Sequence, residues 1–281
     1  MVIPRGFAER RRTGRPATIQ AMVDGSDTNR AIVSQNAMMA FAMKEASKEA
    51  LDTLSQKAAQ MGRAPHLPTI QVVPRIFYNP TLDSRIYFVP GVASTLLLVV
   101  TLITTAMGLA REKEMGTLEQ VMVSPIRPEI LILGKTLPYG VFGLIDLGMV
   151  VVAGAWIFDV PIRGSVPLLF LAGMLYMLTT LGVGLLVSTL ARTQQQAFMG
   201  AIFFLMPAVL LSGFVTPIEN MPEWLQPFSN FTPVRHFVTI LRAVLLKNSS
   251  IVDLGHHFIA LAGLGLTVYA TSAYLLRRRL S

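Results

Sequence analysis

The 281-residue sequence contains no cysteine, which excludes disulfides, thiolate nucleophiles and cysteine-based zinc sites. Charge is scarce: 14% of the residues are Asp, Glu, Lys or Arg, against about 25% in soluble domains. Metal-ligand spacing is missing too. His66 and His236 stand alone in the sequence, and His256-His257 are adjacent, so on a helix they point about 100° apart rather than chelating as an i,i+4 pair does. These histidines read as packed or interfacial. No Gly-x-Ser-x-Gly elbow occurs, and Ser188 and Ser212 have no base nearby in sequence. Gly134-Lys135-Thr136 resembles the end of a phosphate-binding loop, but that pattern needs a glycine five positions before Gly134, where Glu129 stands. No catalytic residues and no cofactor or metal ligands emerge.

What is present is apolar. Hydrophobic residues make up 52% of the chain, and mean hydropathy is +0.54, so the composition is that of a membrane protein. About 20 predominantly apolar residues cross ~30 Å of hydrocarbon as a helix. Five stretches qualify: 86–110, 136–158, 164–191, 193–218 and 254–276. The formal charge of +8 fits basic residues holding loops on the cytoplasmic side better than it fits a nucleic-acid partner.

Residues 1–85 are polar and read as a small α+β domain outside the bilayer. Thr18–Val23 alternates as a strand and runs into the turn Asp24-Gly25-Ser26-Asp27. Thr28–Met61 contains neither Gly nor Pro and is rich in Ala, Met, Lys, Glu and Gln, which predicts a long helix. Thr69–Tyr78 returns to β-type residues, with Pro74 confining that strand to an edge or a bulge.

Charge sets the expected orientation. Arg111, Lys113, Arg127, Lys135, Arg192 and Arg277–Arg279 collect on one side, and Arg163, Arg235, Arg242 and Lys247 on the other. The bias puts the 111–134 segment and the C-terminus in the cytoplasm, with Trp156, Phe158 and Trp224 near the outer interface. Residues 1–85 then lie outside with no signal to carry them across, so a membrane helix upstream of Met1 is expected. The Pro-rich stretch 217–233 and the amphipathic Val234–Lys247 form an outer section suited to lying in the interface.

Leu109–Gly134 is a polar island between apolar spans. Arg111, Glu112, Lys113 and Glu114 are expected to leave the first span abruptly. Thr117-Leu118-Glu119-Gln120 has the form of a capping box that starts a short helix, and Ser124-Pro125 ends it. Leu118, Val121 and Met122 share one face that must bury against lipid, the protein's own helices or a soluble partner; Glu112, Glu114 and Glu119 offer acidic contacts to the last of these. Thr193-Gln194-Gln195-Gln196 forms a tight polar turn between spans, where glutamines can satisfy helix-end backbone groups or meet a partner. Asp146 is the one acid near mid-span, and either lines a pathway or bonds across a helix interface.

Several of these stretches together resemble the membrane-spanning permease subunits of ABC-2 type ABC transporters, the multidrug or drug-export group. They include VDGSD at Val23–Asp27, YNP at Tyr78–Pro80 and FVPG at Phe88–Gly91, then REKEMGTLEQVMVSPI at Arg111–Ile126 and LGKTLPY at Leu133–Tyr139. STLARTQQQA at Ser188–Ala197 and LSGFVTPIENMPEWLQ at Leu211–Gln226 complete them. The resemblance implies a bacterial inner-membrane transport subunit of six helices, five of them visible here, with an extracytoplasmic loop after the first. It implies pairing with a second permease, identical or related, and with separate ATPase subunits that bind ATP and Mg. Residues Arg111–Glu114, Gly116, Thr117, Leu118, Glu119 and Gln120 would meet the ATPase. Pro217, Glu219, Asn220, Pro222 and Trp224 would belong to an outer re-entrant hairpin. Asp146 and Gln194–Gln196 are the polar candidates for pathway or interhelix roles. A membrane scaffold working without ATP is the alternative reading.

Overall fold

The structure is a computed structural model, and it describes residues 17–24, 28–58, 70–77, 83–117, 128–247 and 249–280. Contacts divide the chain into two compact units, Met1–Tyr87 and Phe88–Ser281. In the first, β1 (Ala17–Asp24) and β2 (Ile70–Phe77) pair in parallel, from Ala17 opposite Ile70 to Asp24 opposite Phe77, and α1 (Thr28–Ala58) links them. Pro74 sits opposite Ala21. It is tolerated because each strand of a two-stranded sheet keeps one free edge, where a missing N–H breaks no ladder bond. Ala21, Val23 and Ala31 are buried in this unit.

The second unit is helical: α2 (Ser84–Glu114), α3 (Pro128–Trp156), α4 (Val166–Leu190), α5 (Gln194–Leu210), α6 (Pro233–Arg242) and α7 (Gly255–Leu280). Among the described residues four helices are long and apolar enough to cross a membrane: α2, α3 from Ile130, α4, and α7 to Arg278. Asp83 caps α2, its Oδ1 accepting from the Arg85 backbone N–H at 3.0 Å. The Arg85 guanidinium beside it holds the Asp83 carboxyl below its ordinary value.

α4 is the hub. Its buried side includes Gly173, Tyr176, Thr180, Gly182, Gly184 and Ser188, small or hydroxylated residues that let helix backbones approach closely. A Cβ at Gly182 would fall 2.9 Å from the Tyr269 backbone nitrogen of α7, and one at Gly184 would fall 3.0 Å from the Leu102 carbonyl of α2. Hydroxyls bridge the same seams. The hydroxyls of Thr101 and Thr180 are 2.7 Å apart, the Tyr176 hydroxyl donates to the Ser94 carbonyl at 3.0 Å, and Ser272 donates to the Gly182 carbonyl at 2.8 Å.

Three sequence expectations change. The helix of the expected span 193–218 stops at Leu210, seventeen residues in all. Ser212 Oγ donates to the Val209 carbonyl and accepts from the Phe214 N–H, and Gly213 takes φ +76°, so the chain turns there. Arg111–Glu114 do not leave the first span abruptly. They form the last turn of α2, which closes at Gly116 with φ +71° and bonds from the Met115 and Gly116 N–H groups back to Arg111 and Lys113. Gly134-Lys135-Thr136 lies inside α3 rather than at its mouth.

The outer section departs as well. Val234, Phe237, Val238, Ile240 and Leu241 of α6 are buried, and so is His236. Phe237 stacks on Tyr176 of α4 with ring centroids 4.3 Å apart and 11° between planes. The helix therefore packs into the bundle more fully than its amphipathic pattern implies, His236 of the polar flank included.

Gly182→Val should cost roughly 1–3 kcal/mol of stability, since its methyls meet the α7 backbone rather than a flexible side chain. A thermal unfolding midpoint in detergent equal to that of the wild type would contradict this close approach.

Candidate functional site

The charged end of α2 brings most of the sequence-predicted residues together. Lys113 Nζ reaches across to the last turn of α4 and donates to the Ser188 carbonyl at 2.6 Å and the Thr189 carbonyl at 3.0 Å. Those carbonyls belong to a helix C-terminus, where the last acceptors lack intrahelical partners and a cation meets the negative end of the helix dipole.

Glu114, one residue on, does the reverse for α5. Its Oε2 accepts from the Gln194 backbone N–H at 3.0 Å and from the Gln194 side-chain amide at 3.2 Å. A carboxylate here satisfies a free N–H at a positive helix end. Thr193 is the N-cap, its hydroxyl accepting from the Gln196 N–H at 3.3 Å, and Gln196 Oε1 accepts from the Arg192 N–H at 2.9 Å. The turn between α4 and α5 is thus tied from both sides to one turn of α2.

Glu112 links the third neighbour, forming an ion pair with Lys135 of α3. Both side chains are about a quarter to a third exposed, at 32% and 24%. The pair roofs a buried cluster of Leu109, Ile132, Leu185 and Leu276 contributed by α2, α3, α4 and α7. Beside it the Thr136 and Tyr269 hydroxyls lie 2.9 Å apart, and the Tyr139 hydroxyl occupies the space a side chain at Gly108 would take. Thr117 donates to the Glu112 carbonyl at 3.2 Å. Arg111 and Gln195 are exposed.

The rest of the expected set is placed elsewhere. Leu118, Glu119 and Gln120 fall outside the described residues, as does the rest of the short helix expected between Thr117 and Ser124-Pro125. Asp146 lies on α3 about 16 Å along the helix from Lys135. It is half-buried, and its Oδ2 has no hydrogen-bond partner among the described residues; no bond among them joins it to Gln194–Gln196. Pro217, Glu219, Asn220, Pro222 and Trp224 share a run of tight turns in which the Asn220 N–H bonds the Pro217 carbonyl at 3.0 Å and the Leu225 N–H bonds the Pro222 carbonyl at 2.8 Å. That run adjoins the far end of α2, where Phe214 covers Gly91 and meets Phe88 edge-on at 5.9 Å.

Sequence reasoning assigned Lys113 to charge bias and to the expected ATPase-facing segment, and Lys135 to charge bias, and missed both contacts. The helix stop at Gly116 had a usable signal, a glycine just past a turn carrying Arg111 and Lys113. Nothing local signalled that Lys113 would reach Ser188, because 75 residues separate them. The cluster joins the C-terminal turns of α2 and α4 and the N-terminus of α5 to the interior of α3 at Lys135.

The family profile described as ABC-2 family transporter protein matches residues 1–274. The chain is 35% identical over 88% of its length to the "Probable multidrug ABC transporter permease YbhR" of Escherichia coli (strain K12), and 32% identical over 89% to YbhS of the same name and strain. It is 30% identical over 70% to the "Inner membrane transport permease YhhJ" of that strain. The matched part covers 64% of YbhR and of YbhS, and 53% of YhhJ.

Reversing Glu112 alone, Glu112→Lys, should destabilise the protein, and adding Lys135→Glu should restore most of the loss. A double variant as unstable as the sum of its singles in SDS unfolding would show that the ion pair carries no coupling.

Proposed function

The chain belongs to the ABC-2 family of transporter proteins, and on that premise we propose that it is the membrane-spanning subunit of an ATP-driven exporter in a bacterial inner membrane. In this reading it pairs with separate ABC ATPase subunits and with a second permease, and moves an amphipathic or lipophilic compound outward. ATP and Mg belong to the ATPase partner. The observation that carries the proposal is the fastening of α2, α3, α4 and α5 by Glu112, Lys113 and Glu114 at the root of residues 115–127. An ATPase that presses on that segment moves these four helices together, since each contact is charge-assisted.

The membrane domain is 86–281, its short helix α5 acting as a fifth membrane helix beside the four long ones, and the 1–85 unit stands outside. The C-terminus and residues 111–134 lie in the cytoplasm, and 217–250 is the outer re-entrant section. For the second permease the face of α5 bearing Met199, Phe203, Met206 and Leu210 is suited. These four are exposed at helical spacing, Phe203 at 82%, and none carries charge. Asp146 is assigned to the pathway. A carboxyl with one oxygen buried and unpartnered in the described protein has a hydrogen bond to give a passing polar group.

The Glu112 and Glu114 carboxylates are used within the chain, so the acid assigned to the ATPase is Glu119. Glu119→Lys should lower co-purification with the co-expressed ATPase at least several-fold, while the Glu112→Lys/Lys135→Glu swap retains it. Retention of the complex by Glu119→Lys removes that acid from the docking surface. Asp146→Asn should reduce efflux of an amphipathic dye from proteoliposomes with membrane abundance unchanged, whereas unaltered efflux leaves Asp146 to helix packing alone.

A further inference from the structure

His236 and His257, scattered in the sequence, meet between α6 and α7 with their Nδ1 atoms 3.0 Å apart. The other ring nitrogen of His236, Nε2, is 2.9 Å from the Asn230 carbonyl oxygen. A carbonyl only accepts, so His236 Nε2 carries the proton and, in the neutral ring, His236 Nδ1 is a lone pair. His257 Nδ1–H is then the donor. A two-bond chain runs from α7 through a histidine that is 1% exposed to the backbone ahead of α6.

This arrangement tolerates protons poorly. Protonating His236 sets two N–H groups against each other unless His257 changes tautomer, and a second proton sets two imidazolium rings at contact distance. The surroundings are cationic. On α6 itself Arg235 holds the Ser229 hydroxyl and is faced by Glu219 from the preceding turns; Arg242 follows at its end, with Lys247 in the next turn. α7 adds His256, its ring 6.2 Å from His236 and 5.2 Å from His257. α4 contributes the Tyr176 phenol, bonded to Ser94, and α5 contributes no titratable side chain. Arg163 reaches the Leu246 carbonyl, and Asp253 is engaged by Ser250.

We propose that the His236–His257 pair is a proton-binding latch: neutral, it fastens the sunken helix α6 to α7, and acidification releases α6 from α7. The latch is independent of whether the chain works with an ATPase.

The cysteine-free sequence permits a direct test with spin labels on Phe231→Cys and Ile259→Cys, both positions exposed, in the full chain in lipid nanodiscs. A single narrow distance at pH 8 should lengthen or broaden at pH 3.5. The His236→Gln/His257→Gln variant keeps hydrogen-bonding groups but cannot titrate, and its distance should not respond. An unchanged wild-type distance, or an equal response in the Gln variant, overturns the latch. Should that variant lack a narrow distance at pH 8, nitrogen-15 histidine spectra of the wild type decide. A through-bond coupling between the two Nδ1 atoms that disappears on acidification supports the latch, and independent titration of the two rings without such coupling overturns it.

Discussion

A helix end has backbone groups without intrahelical partners, and something must satisfy them. In this protein one turn of α2 does so for two neighbours at once. Lys113 supplies hydrogens to the closing carbonyls of α4, and Glu114 receives the opening N–H of α5. The two charges are adjacent in sequence yet serve helix termini of opposite polarity. The α4–α5 connection can be as short as it is because a third helix supplies what its ends lack.

Along the rest of their length the helices are held by contour. Lipid tails are as apolar as leucine, so association depends on close fit and on hydroxyl bridges. Gly182 and Gly184 admit α7 and α2 to backbone distance, and Thr101, Thr180, Tyr176 and Ser272 bond across the same seams. The ion pair of Glu112 with Lys135 closes the end of that stack over its leucines.

Much of this was legible in residue order. Apolar length located α2, α3, α4 and α7, and β-type residues located the strands Ala17–Asp24 and Ile70–Phe77. The motifs REKEMGTLEQ and STLARTQQQA pointed to the two segments that meet at the charged cluster. What could not be read was reach. Periodicity gives the face of a helix but not its neighbour, so Lys113 looked like a loop cation and His236 like a stray. Hydropathy likewise ran straight through Ser212 and Gly213, since neither is polar enough to interrupt a sliding average. The turn there arises from a side chain bonding to its own backbone and from a positive φ, which are local stereochemistry. The amphipathic pattern of α6 was read correctly as a helix, but how far its polar flank is buried could not be read, because that depends on Asn230, Ser229 and His257 arriving from elsewhere.

The early end of α5 has a mechanical consequence. Seventeen residues make a helix about 26 Å long, short of ~30 Å of hydrocarbon. A bilayer meets such an element by thinning around it or by drawing on its flanks. The flank on one side is held by Glu114, and that on the other is the Ser212–Phe214 turn, whose phenyl ring is wedged over Gly91 of α2. With α5 as the proposed fifth membrane helix, lipid thickness would act as tension along it, between the Glu114 carboxylate at one end and the Phe214 ring at the other. The same chain would carry different internal load in membranes of different acyl length.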